Sequence, residues 1–207
     1  MKIFVAGATG RVGRSLINKL VNRGHFIYAG SRKEFKYDNL EQVKYVYMDL
    51  HSNMSELKEI LKDAQVVYFV AGSQGKDLLQ TDLYGAVKLM NAAEQKGIRR
   101  YIQLSGIFSL NPEKWSSELT DYFISNFFSD MWLINYTHLN YTILQPGTLT
   151  ETTGSGKVTL MTQEQRENSI DNVATVLSEL LDKKNTFKKV ITMADGEVPI
   201  GEALEKL

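Results

Sequence analysis

Three glycines near the start of the chain have the spacing of a phosphate-binding turn. The segment from residue 7 to residue 13, GATGRVG, directly follows the apolar run at residues 3–6. In such a turn Gly7 lets the chain leave a strand sharply, Gly10 removes a Cβ that would hold a pyrophosphate away, and Gly13 lets a helix approach the sheet. The first N–H groups of that helix then form an anion site. The spacing therefore indicates dinucleotide binding, and the alternative is a purely structural turn.

The end of the next predicted strand is basic. Residues 26–29 form this strand candidate, and the letters GSRK follow at residues 30–33. A unit that prefers NAD carries an acidic residue near this position to accept a hydrogen bond from the ribose 2′-hydroxyl, whereas Arg32 can pair with a 2′-phosphate. The sequence therefore favours NADP over NAD. A solvated arginine at a strand end is the alternative interpretation of Arg32.

Strand and helix patterns alternate along the next part of the chain. Strands are predicted at 43–47, 66–70, 101–104 and 141–144, and helices at 54–62, 78–96 and 116–136. We therefore expect an α/β fold, a Rossmann-like doubly wound parallel sheet with helices on both faces. Ligands of such sheets bind at the carboxyl ends of the strands.

The alternation becomes irregular after Gly147. Short strands are predicted at 158–161 and 189–193, and helices at 170–181 and 200–207. We interpret residues from about 148 to 207 as a small C-terminal lobe on the substrate side. With this lobe, residues 1–207 are expected to form a single domain.

The composition excludes several classes of partner and site. Lys and Arg number 24 and Asp and Glu number 24, so no general attraction to nucleic acid or to an acidic membrane is expected. The absence of cysteine excludes disulfides, thiolate metal ligands and a cysteine nucleophile. His25, His51 and His138 lack ligand-like spacing, so no metal site is expected. The chain opens on a strand and has no apolar run of membrane-spanning length, which predicts a cytoplasmic protein.

Several short motifs follow predicted strands or lie in the long helix. They are Asp49-Leu50, Ala71-Gly72, Leu104-Ser105-Gly106, Tyr122 and Gln145-Pro146-Gly147. Together with the glycine turn, they resemble the short-chain dehydrogenase/reductase superfamily. More narrowly, the chain resembles its atypical NAD(P)-binding branch, the NmrA-like group that includes small flavin and biliverdin reductase-like proteins. It is similar to oxidoreductases of lactic acid bacteria, and the resemblance covers nearly the whole chain.

The resemblance implies a set of cofactor contacts. The glycine turn with Thr9, Arg11 and Val12 would contact the phosphates, and Asp49 and Leu50 would lie near the adenine. The ends of the fourth and fifth strands would flank the ribose and nicotinamide. The complete set predicted from the turn, the basic strand end and the resemblance is Gly7, Thr9, Gly10, Arg11, Val12, Gly13, Arg32, Asp49, Leu50, Ala71, Gly72, Ser105 and Pro146. Asp49 has the alternative role of capping a turn or the next helix.

The predicted catalytic residues are Tyr122 and Ser105. In active members of the resembled family a lysine follows the tyrosine after four residues, whereas here Asn126 takes that position. An ammonium lowers the pKa of a phenol from roughly 10 toward the working pH, and Asn126 carries no charge. Tyr122 is therefore expected to be a less tuned proton donor, while Ser105 polarises a carbonyl. The alternatives are a surface tyrosine and a hydroxyl that bonds its own turn.

These residues predict an NADP-dependent oxidoreductase that passes hydride between the cofactor and a small carbonyl, quinone or flavin-like substrate. Asn126 raises the alternative of a non-catalytic NADP(H)-binding redox sensor. An epimerase with a tightly held cofactor is a third reading, and the absence of a Gly-x-Ser-x-Gly motif speaks against a hydrolase.

Aromatic residues are concentrated in the predicted helix at 116–136 and just before it. They are Trp115, Phe123, Phe127, Phe128, Trp132 and Tyr136. We interpret this cluster as core packing of the helix. An apolar substrate wall or the face of a homodimer is the alternative, because so much aromatic surface seldom fits one buried stripe.

Overall fold

The computed structural model of the protein describes residues 1–34 and 41–207. Its strands are β1 (Lys2–Ala6), β2 (Phe26–Ser31), β3 (Val43–Tyr47), β4 (Val66–Phe69), β5 (Arg100–Leu104), β6 (Asn140–Pro146), β7 (Thr148–Thr150), β8 (Lys157–Leu160), β9 (Glu167–Ser169), β10 (Lys189–Asp195) and β11 (Val198–Pro199). Its α-helices are α1 (Arg11–Asn22), α2 (Met54–Ile60), α3 (Ala86–Gln95), α4 (Thr120–Tyr136), α5 (Ile170–Glu179) and α6 (Ile200–Glu205). A π-helical segment, Leu78–Gly85, leads directly into α3.

Nine of the described strands form one sheet, in the order β11-β8-β10-β6-β5-β4-β1-β2-β3. All pairings from β3 to β6 are parallel, and β10 pairs parallel with β6. The strands β8 and β11 add antiparallel pairings at the other edge. The order β3-β2-β1-β4-β5-β6 is that of a doubly wound Rossmann sheet, and it reverses between β1 and β4. The predicted Rossmann-like parallel sheet is confirmed.

Both faces of the sheet are covered, and β1 shows why. Successive side chains of a strand point to opposite faces. Ile3 and Val5 belong to the core cluster that contains the buried residues of α1 and α5, whereas Phe4 and Ala6 belong to the cluster that contains those of α2 and α3. A strand buried on both faces is a continuous apolar run, as β1 is.

The C-terminal segment at residues 148–207 is divided between two positions. The strands β8, β10 and β11 extend the main sheet, and α5 shares the core cluster of α1. The strands β7 and β9 form a separate two-stranded sheet. The part of this segment that stands apart from the main sheet is therefore β7, β9 and the adjoining loops.

The region predicted as one helix at 78–96 has two geometries. Leu78–Gly85 is π-helical, and only Ala86–Gln95 is α-helical. A Cβ added to Gly85 would lie 2.8 Å from the Cβ of Leu50, so this glycine packs closely against the loop after β3. The spacing of apolar residues does not reveal the one extra residue per turn of a π-helix, so the sequence predicted a single α-helix here.

Replacing Leu177 of α5 with alanine tests how much the α1–α5 layer stabilises the fold. Leu177 is fully buried, whereas Leu79 is 67% exposed. We expect Leu177→Ala to lower the free energy of unfolding by roughly 2–5 kcal/mol through lost transfer energy and a cavity. The matched control Leu79→Ala is expected to change it by less than about 0.5 kcal/mol. Urea titrations of both variants measure this, and equal effects would contradict the assigned packing.

Candidate active site

A cleft of about 640 Å³ lies at the carboxyl ends of the parallel strands, beside the reversal of strand order. Of the predicted site residues, those that line it are Gly7, Thr9, Gly10, Arg11, Val12, Arg32, Asp49, Leu50, Ala71, Gly72, Ser105, Tyr122 and Pro146. Gly13 is the predicted site residue outside this lining. The fold thus brings together residues separated by more than a hundred positions in the sequence.

The glycine turn after β1 is held tightly against its neighbours. Gly7 has φ +92°, and its N–H donates to the carbonyl oxygen of Gly30 at 3.0 Å. A Cβ on Gly7 would lie 2.5 Å from the backbone nitrogen of Ala71, just beyond β4. A Cβ on Gly13 would lie 2.2 Å from the carbonyl oxygen of Gly7. Gly13 therefore permits the close approach of α1 to the turn, without lining the cleft.

The first turn of α1 faces the cleft without a side-chain cap. Gly10 is the N-cap residue in an extended conformation, it makes no capping hydrogen bond, and the first helical turn contains no acidic residue. The first N–H groups of an α-helix have no acceptor within the helix, and the helix dipole adds positive potential there. Arg11 pairs with Glu151, with 3.1 Å between Nη1 and Oε1. This helix start is suited to an anion.

Arg32, just after the end of β2, is a cation near the carboxylate of Asp77. Arg32 is exposed and lines the cleft. The carboxylate of Asp77 lies 2.6 Å from Nε2 of His51 and accepts a hydrogen bond from the hydroxyl of Thr81 at 2.5 Å. These two hydrogen bonds lower the pKa of Asp77, and the charge of Arg32 lowers it further. Asp77 is therefore an anion already engaged by its own neighbours.

Two hydrogen bonds hold the loop after β3, one within the loop and one from α3. The carboxylate of Asp49 accepts a hydrogen bond from the backbone N–H of His51 at 2.9 Å, so Asp49 caps its own turn while it lines the cleft. The buried Lys88 of α3 donates from Nζ to the carbonyl oxygen of Ser52 at 2.7 Å. Burial lowers the pKa of Lys88, and Asp49 opposes that effect. Sequence reasoning did not identify Lys88.

Tyr122 of α4 lies directly against the end of β5. A Cβ on Gly106 would come within 3.0 Å of the Tyr122 hydroxyl oxygen. Burial raises the pKa of Tyr122 to about 12, and the carboxylates of Asp82 and Asp130 act in the same direction. Asn126 donates from Nδ2 to the backbone carbonyl oxygen of Tyr122 at 2.9 Å. The phenol is therefore neutral at neutral pH.

Ser105 is bonded to side chains of α4. Its Oγ donates to Oδ2 of Asp130 at 2.7 Å and lies 3.3 Å from Oδ1 of Asn126. If Ser105 served mainly as a turn hydroxyl, it would bond the backbone of its own turn, whereas these two partners are side chains of α4. Ser105 is almost fully buried, and it is also part of the cleft lining.

The fold and the cleft agree with comparisons to known proteins. The family model described as NAD(P)H-binding matches residues 7–184. The chain belongs to this NAD(P)H-binding family. The resemblance to the atypical NAD(P)-binding branch of the short-chain dehydrogenases/reductases is confirmed with it.

Individual relatives cover the whole chain. The crystal structure of the oxidoreductase ylbE from Lactococcus lactis has a TM-score of 0.96 and 44% sequence identity, covering 100% of this chain and 96% of that one. The Bacillus subtilis protein called uncharacterized sugar epimerase YhfK is 34% identical over 215 residues, covering 100% of both chains. The Saccharomyces cerevisiae protein YMR090W is 29% identical, covering 100% of this chain and 99% of its own.

Two carboxylates of this family member's site were missed by sequence reasoning. Asp82, in the π-helical segment, lines the cleft, and its Oδ2 accepts a hydrogen bond from the backbone N–H of Ser73 at 2.9 Å. Burial raises the pKa of Asp82. No local pattern marks Asp82, because its position depends on the wider helical turn.

Asp130 did carry a sequence signal. It follows Phe123 by seven residues and precedes Leu133 by three, and all three side chains are buried in α4. A polar residue on an otherwise inward-facing stripe is the informative kind of exception. The carboxylate is 0% exposed and accepts hydrogen bonds from Ser105 and three further side chains.

The aromatic cluster is only partly a core. The ring of Trp115 stacks on Phe123 with 5.7 Å between centroids, and Phe123 is buried. In contrast, Phe128 is 55% exposed and Tyr136 is 68% exposed. The interpretation of core packing is right for Phe123 and wrong for Phe128 and Tyr136. A homodimer face on this helix stays a prediction.

No group of three or more His, Asp or Glu side chains in the described ranges is placed to hold a metal ion. Within the same residues, no helix is both long and apolar enough to cross a membrane.

Replacing Asn126 with lysine tests the electrostatics around Tyr122. An ammonium one helical turn away is expected to lower the pKa of Tyr122 by roughly 1–2 units from about 12. The measurement is an ultraviolet titration of phenolate, taken as the difference between each protein and its Tyr122→Phe partner, because the chain has 10 tyrosines. The control Asn135→Lys adds the same charge elsewhere on α4 and is expected to leave the Tyr122 titration in place. Equal shifts in both variants would contradict the local assignment.

Proposed function

We propose that the protein is an NADP(H)-dependent oxidoreductase that passes hydride between the nicotinamide and a small carbonyl, quinone or flavin-like substrate. The observation that carries the proposal is the joint placement, in one cleft, of the uncapped start of α1 and the pair Ser105 and Tyr122. A volume of about 640 Å³ is in the range of small-molecule and cofactor sites.

The residues of the cleft fit a dinucleotide. The turn at Gly7 packs so closely against the end of β4 that a Cβ would not fit between them. The start of α1 has no side-chain cap, so its N–H groups are open to a pyrophosphate. The residues that would hold the phosphates are Thr9, Gly10, Arg11 and Val12. Those that would hold the adenine are Asp49 and Leu50, and those that would flank the ribose and nicotinamide are Ala71, Gly72, Ser105 and Pro146. When bound, NADP(H) supplies the hydride or accepts it.

Charge distribution orients such a ligand. Arg11 and Arg32 line the cleft toward the turn and the end of β2, whereas Asp82 lines it near Tyr122. A phosphate-bearing ligand is attracted to the former end and repelled from the latter. The nicotinamide end is thereby directed toward Ser105 and Tyr122.

The names of the relatives divide between oxidoreductase and epimerase. The Lactococcus lactis structure is named an oxidoreductase and the Bacillus subtilis protein a sugar epimerase. Acceptor-dependent net oxidation of NADPH is the observation that distinguishes an oxidoreductase from an epimerase, because an epimerase returns its cofactor to the starting oxidation state in each turnover.

A second candidate function is an NADP(H)-binding redox sensor without turnover. It is favoured by one observation, the neutral Tyr122 whose pKa is raised to about 12 where Asn126 replaces a lysine. Such a protein would bind the cofactor through the same turn and signal through a partner. Acceptor-dependent oxidation of NADPH distinguishes the two functions.

Replacing Arg32 with alanine tests the choice of cofactor. Loss of a charge-assisted contact to the 2′-phosphate is expected to weaken NADPH binding roughly 10–100-fold and to leave NADH binding within about twofold. Fluorescence titrations with both nucleotides measure this. Arg99→Ala is the matched control, since Arg99 is exposed and lies at the amino end of β5, whereas the cleft lies at the carboxyl ends of the strands. Equal weakening of NADPH and NADH would contradict a 2′-phosphate contact.

Replacing Ser105 with alanine tests the chemistry. The wild-type protein is expected to oxidise NADPH with at least one acceptor among menadione, 4-nitrobenzaldehyde and FMN. Ser105→Ala is expected to lower kcat roughly 10²-fold with little change in the Kd for NADPH, because it removes the hydroxyl that polarises the carbonyl and not a phosphate contact. A wild-type protein that binds NADPH tightly and oxidises it with none of these acceptors would overturn the oxidoreductase proposal and favour the sensor.

A further inference from the structure

Asp130 is a buried carboxyl group with one connection to the cleft. Its Oδ2 accepts hydrogen bonds from Ser109 at 2.5 Å, Ser105 at 2.7 Å and Gln145 at 3.1 Å, and its Oδ1 accepts one from Gln103 at 2.7 Å. Of these four partners, Ser105 is the one that also lines the cleft. Any exchange between Asp130 and a bound substrate therefore passes through the hydroxyl of Ser105.

The hydroxyl of Ser105 has a single proton to donate. The nearest acceptor to Oγ is Oδ2 of Asp130 at 2.7 Å, while Oδ1 of Asn126 and Oγ of Ser109 both lie at 3.3 Å. The shorter bond to a charged acceptor is the stronger one. While Asp130 is ionised, Ser105 consequently presents only lone pairs to the cleft and cannot donate to a substrate carbonyl.

We propose that Asp130 is a positioning residue that stores a proton and makes Ser105 the proton donor of the reaction. When Asp130 is protonated at Oδ2, its O–H has two neighbouring hydroxyl acceptors, Ser109 at 2.5 Å and Ser105 at 2.7 Å. Because Oγ of Ser109 already accepts a hydrogen bond from Nε2 of Gln145 at 2.6 Å, the O–H donates to Oγ of Ser105, and the proton of Ser105 turns toward the cleft. This inference deepens the oxidoreductase proposal and rests on it. It assigns the proton supply to Asp130 and Ser105, in a chain where Asn126 takes the place of a lysine.

The proposed steps balance for reduction of a carbonyl. The carbonyl carbon accepts hydride from the reduced nicotinamide and the C=O π bond breaks. The oxygen takes the proton of Ser105, and Ser105 takes the proton of Asp130. The products are an alcohol, an oxidised nicotinamide and the Asp130 carboxylate. After the product leaves, a proton from water in the cleft returns to Asp130 through Ser105, so each turnover consumes one proton from solvent.

The surroundings of Asp130 permit both protonation states near neutral pH. Burial raises its pKa to about 6, and the four hydrogen bonds oppose that rise. The groups that donate to the carboxyl are neutral: Gln103 comes from β5, Ser105 and Ser109 from the turn after it, and Gln145 from β6. On α4 itself, Tyr122 stays neutral because its pKa is raised to about 12. Asp82 also lies near Tyr122 and its pKa is raised by burial, so the comparison with Asp130→Asn is what assigns a titration to Asp130.

Infrared difference spectroscopy between pH 5 and pH 8 tests the stored proton without any turnover. The wild-type protein is expected to show a protonated carboxyl band at the lower pH that Asp130→Asn lacks. Ser105→Ala is expected to shift this band, because the acceptor of the carboxyl proton is removed. Ser125→Ala is the matched control: Ser125 is a buried serine of the same helix whose hydroxyl bonds the carbonyl oxygen of Tyr122. A band that is missing in the wild type, or unmoved by Ser105→Ala, would overturn the proposal.

The pH profile of kcat tests the role of the proton in catalysis. With NADPH and the most active acceptor of the panel, wild-type kcat is expected to fall about tenfold per pH unit above pH 6, as Asp130 loses its proton. Asp130→Asn is expected to remove this limb and to lower kcat at pH 5 roughly 10²-fold, with an unchanged KM for NADPH. If that variant fails to fold, Ser105→Ala is expected to remove the same limb while Ser125→Ala retains it.

The outcomes separate the two proposals. A wild-type protein that turns over, with an Asp130→Asn variant that keeps the wild-type pH profile, would overturn the relay and leave the oxidoreductase function standing. A Ser105→Ala variant that keeps the fall of kcat above pH 6 would also overturn the relay and leave the oxidoreductase function standing. A wild-type protein that oxidises NADPH with no acceptor would overturn the function and, with it, the catalytic role of the relay, even if the carboxyl band is present.

Discussion

The close approach of backbone segments without side chains between them determines the form of the cleft. Gly7 leaves β1 with φ +92°, and a Cβ there would come within 2.5 Å of the Ala71 nitrogen. A Cβ on Gly13 would likewise come within 2.2 Å of the carbonyl oxygen of Gly7, so this glycine lets α1 approach the turn. As a result, the start of α1 opens at the point where the strand order reverses between β1 and β4. The other walls of the cleft include the ends of strands that pair on either side of this point, Asp82 of the π-helical segment and Tyr122 of α4.

The two ends of the cleft differ in charge. Toward the turn, the start of α1 and Arg32 give positive potential, while the charge of Arg11 is paired with Glu151. Toward Tyr122, the charged groups are the carboxylates of Asp82 and Asp130, which act with burial to raise the pKa of the phenol. With Asn126 in place of an ammonium, no nearby cation offsets them among the groups that shift Tyr122. Burial and these two carboxylates make Tyr122 a weak acid, which gives importance to the route through Ser105.

Keeping Asp130 in the interior is costly in folding energy unless its hydrogen bonds are satisfied. The fold supplies donors from β5, the turn after β5 and β6, all meeting one carboxyl on α4. An apolar side chain would fill the same position without this network. A buried acid with neutral partners and one contact to a ligand cleft is typical of functional sites rather than of cores selected for stability alone.

The sequence by itself determined the features that depend on neighbouring residues. The glycine spacing after β1, the alternation of strands and helices, and the position of Ser105 at a strand end could be predicted because turns, periodicity and strand ends are local properties. Tyr122 was predicted from the resemblance to the family. Tertiary structure alone decided the rest. Asp82 enters the cleft through a π-helical turn, Lys88 reaches the loop after β3, and Asp130 meets partners from three separate segments. The hydrogen bonds of these groups join distant parts of the chain, so no local pattern contains them; for Asp130 the sequence marks only its place on the buried stripe of α4.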